Sequence, residues 1–226
     1  MSVKELLDHF QFIFHNSPSI LYFGPNCERF SLESIHRNAR NFQSICFISE
    51  NHEQHIRVLN FFRPAILDLL EGALDDGCVP RYISIQNFDF IRADSVQITL
   101  DDLLVTNARS ITLICDRISI KILEQFVKLF AKGSNPRLEF LLLRFRQADF
   151  QTEELLKGLK YQHVSPNRRR SFKVSGKKVP LEVIGGWDIW KFDGTQATIS
   201  TDIRDDVVRF KLFVWHDHCM VNAINS

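Results

Sequence analysis

Three short stretches of this 226-residue chain hold residue types that do chemistry in other proteins. "NHEQHI" at 51–56 places His52 and His55 three apart with Glu53 between. It is one residue short of the His-Glu-x-x-His pattern that puts two zinc ligands and a general base on one helix face. "HDHC" at 216–219 offers His216, Asp217, His218 and Cys219 in succession. Two of its histidines share a strand face, but adjacent ligands without a further donor usually form a polar tail. "SGKKV" at 175–179 has the lysines of a phosphate loop without its leading glycine pattern. No Gly-x-Ser-x-Gly elbow or Ser-x-x-Lys occurs, so sequence spacing supplies no nucleophile beside a base. The five cysteines (27, 46, 78, 115 and 219) include no Cys-x-x-Cys pair, which argues against a zinc ribbon and a redox motif. The expectation is a non-enzymatic chain with no metal and no cofactor.

Two further stretches suit binding. In "NRRRSFKVSGKK", Arg168, Arg169, Arg170, Lys173, Lys177 and Lys178 are bunched without an acid. They could hold phosphates or serve as a nuclear import signal, or they could be a solvated loop leading into an edge strand guarded by charge. "GGWDIWKFDGTQATIS" at 185–200 crowds two of the three tryptophans behind paired glycines. Trp187 is the residue in that stretch that could stay exposed as an anchor for a partner, although most such rings fill a core. Candidate partner-contacting residues are therefore Arg168, Arg169, Arg170, Lys173 and Trp187.

Bulk properties restrict the classes. Hydrophobic residues make up 45%, charged residues 24%, and formal net charge is +1, so charge as a whole favours neither nucleic acid nor an acidic membrane. No apolar run reaches the roughly 18 residues of a membrane span. Lys4, Glu5 and Asp8 interrupt the N-terminal apolar stretch a signal peptide would need. An intracellular protein of cytoplasm or nucleus, with reduced thiols, is expected.

The elements that must position these residues alternate between helix and strand. Residues 3–14 carry an apolar stripe at helical spacing behind a Ser2–Glu5 capping box. Strands are predicted at 20–23, 44–48, 65–69, 82–86, 111–114 and 138–143. Helices are predicted at 31–40, 53–61, 99–107 (capped by Thr99 and Asp102), 119–132 (capped by Ser119) and 152–159. "LEFLLL" at 138–143 fits the strand of a leucine-rich repeat, and looser matches begin at 42, 62, 80 and 108. The asparagine that would stack such turns regularly is missing from every one. After about residue 165 period-two alternation takes over. Asp193-Gly194 is read as a two-residue hairpin turn, which would set Trp190 opposite Ala197 and Phe192 opposite Thr195. The fold class expected is α/β: irregular leucine-rich-repeat-like strand–helix repeats over 1–164, then a small antiparallel β-sheet over 165–226, packed together as one unit.

These residues also resemble a family. "ISIQNFDFIRADSVQITLDDLLVTNARSITLICDRISIKILEQFVKLFAKGSNPRLEFLLL" is similar to the core of the F-box-associated type 2 domain, expanded in nematodes. Leu-Asp-Asp-Leu-Leu with Asn107 resembles its "LxDLLxxN" block, and "KLFAKGSNPRLEFL" its "KxWxKGSNPRLExL" segment, with Phe130 in place of tryptophan. "GGWDIWKFDGTQATIS", "FKLFVWH" and "VKELLDHFQFIFH" are similar to the family's later strands and its leading helix. The resemblance implies a substrate-recruiting, protein-binding module of a ubiquitin-ligase receptor, with a protein target and an indirect link to a cullin–RING ligase. It implies no catalytic residue. The F-box that family members carry ahead of this region has no counterpart in these residues. A competing reading is a nucleic-acid or phosphoinositide binder acting through 168–178. The binding surface is expected on the exposed sheet face or near the C-terminal hairpin.

Overall fold

The computed structural model describes residues 20–38, 42–147 and 150–221, so the predicted helix over 3–14 lies outside the described residues. Six strands come first: β1 (Ile20–Phe23), β2 (Ser44–Phe47), β3 (Ile66–Leu69), β4 (Phe90–Ala93), β5 (Ser110–Ile114) and β6 (Phe140–Arg146). They lie side by side in chain order and are all parallel. Six helices occur among the described residues: α1 (Leu32–Asn38), α2 (His52–Phe62), α3 (Arg81–Ser84), α4 (Leu100–Val105), α5 (Ile120–Ala131) and α6 (Thr152–Leu155). Four long strands follow: β7 (Tyr161–Phe172), β8 (Leu181–Trp190), β9 (Gln196–Arg204) and β10 (Val207–Val214).

The four last strands do not form a small sheet of their own. β10 runs antiparallel to β6, and β9, β8 and β7 follow outward, which makes one ten-stranded mixed sheet. This corrects the expected repeat-like curve with a separate antiparallel sheet. The physical reason lies in the apolar faces. Phe145, Leu143 and Leu141 of β6 stand opposite Val208, Phe210 and Leu212 of β10, so joining the strands continues one buried surface instead of sealing two.

One face of the sheet carries apolar rows, such as Ile45, Leu67, Ile91, Ile111, Leu141, Leu212 and Ile199, that pack with Leu59, Leu123, Phe126 and Phe130 from the helices. Among the described residues no helix lies on the opposite face. A smaller apolar cluster of Phe140, Phe172, Val183 and Phe213 sits there, and the loop at 173–180 lies against it. Lys177 Nζ comes 5.8 and 5.9 Å from the ring centres of Phe90 and Phe140, and burial with nearby Arg92 pulls its pKa down.

Local chemistry explains most of the boundaries. Thr99 and Asp102 form the expected capping box: Asp102 N donates to Thr99 Oγ1 at 3.2 Å and Thr99 N donates to Asp102 Oδ2 at 2.8 Å. Ser119 accepts from Lys121 N at the start of α5, and Gly133 at φ +109 follows its end. Asn135, in "KGSNPRL", is buried, and its Nδ2 donates to the Leu103, Leu104 and Thr106 carbonyls left free at the end of α4. Two assignments change. Residues predicted as the strand 82–86 fall in α3 and the turn after it, where Pro80 precedes the first helical residue, and the strand comes later, as β4. α6 stops at Leu155 although its pattern runs to 159, and Gly158 in the following turn has φ +80.

Candidate partner-binding groove

The paired glycines of "GGW" shape the site. Gly185 and Gly186 have φ +60 and +103, and a Cβ on Gly186 would lie 2.5 Å from the Ile199 carbonyl oxygen. Only glycine fits both constraints. The bulge they make puts Val183 and Asp188 on the helix-free face together, though an unbroken strand would send residues five apart to opposite faces. β7 answers with its own irregularity between Val164 and Arg169.

The hairpin beyond differs from the two-residue turn. Lys191 N donates to Thr195 O at 2.9 Å and Gly194 N to Lys191 O at 3.0 Å, so three residues form the loop, with Gly194 at φ +86. The register moves by one: Trp190 faces Gln196, and Ile189 faces Ala197. The β8 side chains therefore change face relative to those of β9. Ile189, Ala197 and Ile199 are buried, while Trp190 is 42% and Phe192 79% exposed. A tertiary contact selects this loop. Phe192 N donates to Ala131 O at 2.8 Å at the end of α5, and its ring stands over Gly133 where a Cβ would be.

Asp188 then becomes the centre of a polar network. Its carboxylate accepts from Arg170 twice, at 3.1 and 3.2 Å, from Gln196 Nε2 at 2.5 Å and from Thr198 Oγ1 at 2.5 Å. Trp215 Nε1 donates to Thr198 Oγ1 at 2.7 Å, and the Arg170 guanidinium lies 4.6 Å from the Trp215 ring centre. The carboxylate is satisfied on both oxygens, whereas Arg170 Nε is buried without a partner among the described residues.

Over this network opens a groove of about 790 Å³, lined by Arg168, Arg169, Arg170, Ser171, Pro180, Glu182, Gln196, Trp215, Met220 and Val221. Three of the five residues singled out from sequence line it together. Arg169 grips Glu182 through both carboxylate oxygens at 2.9 Å on the surface, and Arg168 makes no ion pair among the described residues. The far wall is the C-terminal segment: Met220 bridges to Phe172, Lys173 N donates to Cys219 O at 2.8 Å, and Val221 N to Ser171 O at 3.3 Å. Lys173 is exposed outside the groove. Trp187 lies elsewhere too, half-buried against the main core with its ring edge-on to His163 at 5.9 Å. Sequence reading missed Asp188, Gln196, Thr198, Trp215 and Met220. The one signal was an acid in the middle of an otherwise apolar strand.

The metal near misses come apart differently. His55 is buried, stacked on Phe47 at 3.9 Å with Nε2 3.0 Å from Ser49 O, so its ring serves the core. At the chain's other end Glu139 joins His218 and Cys219, their ligand atoms all within 4.8 Å. His218 Nε2 lies 2.9 Å from Glu139 Oε1, and Arg109 Nε lies 3.7 Å from the same oxygen. Burial, with Glu139 beside it, pushes the Cys219 thiol up to about 12, so it stays protonated. An oxygen, nitrogen and sulfur set of this kind would suit Zn²⁺, but a guanidinium competes for its carboxylate.

The sheet that carries this groove is built in part from α3, β4, α4, β5, α5 and the first half of β6. Residues 79–143, which span them, match the family model described as F-box associated. The groove residues all lie beyond this matched segment, on or beside strands docked to it through β6 and β10. No curated protein and no solved structure matches the chain. No helix among the described residues is long and apolar enough to cross a membrane.

Proposed function

We propose that this chain is a non-enzymatic protein-interaction module that holds a target protein, as the substrate-recruiting regions of F-box ubiquitin-ligase receptors do. The observation that carries this is the F-box associated match over 79–143. Support comes from the groove beside it. Guanidinium groups, an indole, a thioether and an amide line it, a mix found at interface anchors and suited to contact rather than to bond-making. Arg168, Arg169 and Trp215 are its contact residues, and Arg170 sets their geometry from below. Lys173 and Trp187 would act at its margin or in a second contact. The parts 1–164 and 165–226 work as one unit, and any link to a cullin–RING ligase runs through the bound partners. The competing nucleic-acid or phosphoinositide reading needs the charges of 168–178 to act together. Arg169 is paired with Glu182, Arg170 with Asp188, and Lys177 lies over two phenylalanine rings, so they are divided.

The test is affinity purification of the full chain and of an Arg168→Glu/Arg169→Glu variant, read by quantitative mass spectrometry with and without nuclease. Each enriched protein is then titrated in purified form. A protein that binds directly and loses affinity roughly tenfold or more with the variant supports the reading. Enrichment that nuclease abolishes, or none above background, overturns it.

A further inference from the structure

On the helix-free face, register aligns the strands into rows. The row Ser44, Ile66, Phe90, Ser110, Phe140 and Phe213 is where the 173–180 loop lies, with Gly176 and Lys177 against Phe90. The next two rows run Arg92, Thr112, Leu142, Lys211, Ser200 and Ile114, Arg144, Arg209, Asp202. Arg146 and Arg204 share the face at the strand ends. Over β6, β10 and β9 this gathers Arg144, Arg146, Arg204, Arg209 and Lys211 around a single acid, Asp202.

The arrangement works against the fold's own stability. Arg144 stands directly opposite Arg209, and like charges in that position destabilise a sheet. Asp202 is shared between Arg209 at 3.2 Å and Arg204 at 3.3 Å. Arg144, Arg146 and Lys211 have no ion pair among the described residues. Nor do the strands need these cations, because β6 and β10 are held by the apolar residues on their other face. A face on which five cations share one acid fits an anionic occupant.

We infer that this face, centred on Arg144, Arg209 and Lys211, docks an acidic segment of a protein partner in extended form. Same-face positions on a strand recur about every 6.8 Å and neighbouring strands lie about 4.8 Å apart, a grid that matches alternate carboxylates of an extended peptide. Ile114 and Leu142, half-buried between the charges, would take its apolar side chains. The two rows hold no aromatic ring on which a base could stack, which sets a peptide ahead of single-stranded nucleic acid. The inference deepens the protein-interaction reading and rests on it.

The experiment measures anisotropy of a labelled Glu-rich peptide, its Gln-substituted version and a labelled single-stranded RNA with the purified full chain. The variants are Arg144→Gln/Lys211→Gln and, as a control on the exposed side of α5, Lys121→Gln. The Glu-rich peptide is expected to bind in a salt-sensitive way and its Gln version not. The double variant should lose roughly tenfold while Lys121→Gln changes little. Because it removes an opposed like-charge pair, Arg144→Gln should melt no lower than the parent chain. Equal binding of both peptides, no effect of the double variant, or tighter binding of the RNA overturns the inference. If the acidic peptide fails while partners captured by the chain persist unaffected by Arg144→Gln/Lys211→Gln, this inference falls and the protein-interaction reading stands. If capture fails as well, both fall.

Discussion

Removing the Asp188 carboxylate tests the network beneath the groove most directly. The Asp188 side chain is 4% exposed and that of Arg170 14%, so the pair is largely out of water. Asp188→Ala would leave the guanidinium with no counter-charge and free the Thr198 hydroxyl and Gln196 amide from their acceptor. Breaking a buried pair by deleting one partner costs about 3–5 kcal/mol. Arg170 keeps its contact with Trp215, and the groove admits water, so the lower end, about 3 kcal/mol, is expected. Replacing both partners with apolar residues, as in Arg170→Met/Asp188→Leu, leaves no buried charge and should cost much less than the sum of the single changes. Urea unfolding at neutral pH, analysed as a double-mutant cycle at constant m, gives the coupling directly, expected at about 2 kcal/mol. A loss within about 1 kcal/mol for Asp188→Ala, or strict additivity in the cycle, would refute the idea that this carboxylate anchors the groove.

Gly186→Ala and Gly194→Ala separate two uses of a left-handed glycine. The first forces a Cβ to 2.5 Å from the Ile199 oxygen and should cost about 3 kcal/mol or more, beyond the backbone strain alone. The second, with nothing within 4 Å, should cost only the backbone conformation, about 1 kcal/mol; equal losses on urea unfolding would contradict this. Burial, the largest influence on His55, lowers its pKa from the ordinary value of 6.5. The unfolded chain then takes up this proton first as pH falls, so His55 supports stability fully above its unfolded value and the support is lost as pH drops through the folded one. Unfolding free energies at several pH values should therefore decline on the acid side less steeply in His55→Leu than in the parent, and an unchanged slope would exclude His55 as the source.

How far the sequence led depended on the range of the interaction. The cap pairs Thr99–Asp102 and Ser119–Lys121 are complete within one helical turn and were legible from spacing alone. The Asp193-Gly194 hairpin was legible as a hairpin but not in its register. Two- and three-residue loops both want a left-handed glycine, and the choice rests on Phe192 reaching Ala131 and Gly133, some sixty residues upstream in sequence. β4 was missed because "FDFIRAD" alternates apolar Phe90 and buried Ile91 with Arg92, and nothing local tells that Phe90 lies under the 173–180 loop. Arg168, Arg169 and Arg170 were singled out as one basic patch. In the fold one makes no ion pair among the described residues, one pairs on the surface and one goes beneath the groove, because the acids that divide them, Glu182 and Asp188, arrive on the next strand.

The cationic face follows from the same reasoning about register. β10 could slip by one residue against β6 only by turning Arg209 and Lys211 into the helix-bearing core and Phe210 and Leu212 out to water. Burying two unpaired cations while exposing two large apolar side chains is a change of several kcal/mol in the wrong direction. The core therefore fixes which residues of β6 and β10 face outward. It does not fix that they are arginine and lysine, since glutamine or threonine would hold the same strand positions without an opposed Arg144–Arg209 pair. What the core leaves undetermined, and what the sheet carries at a cost, is where selection for a partner can be read.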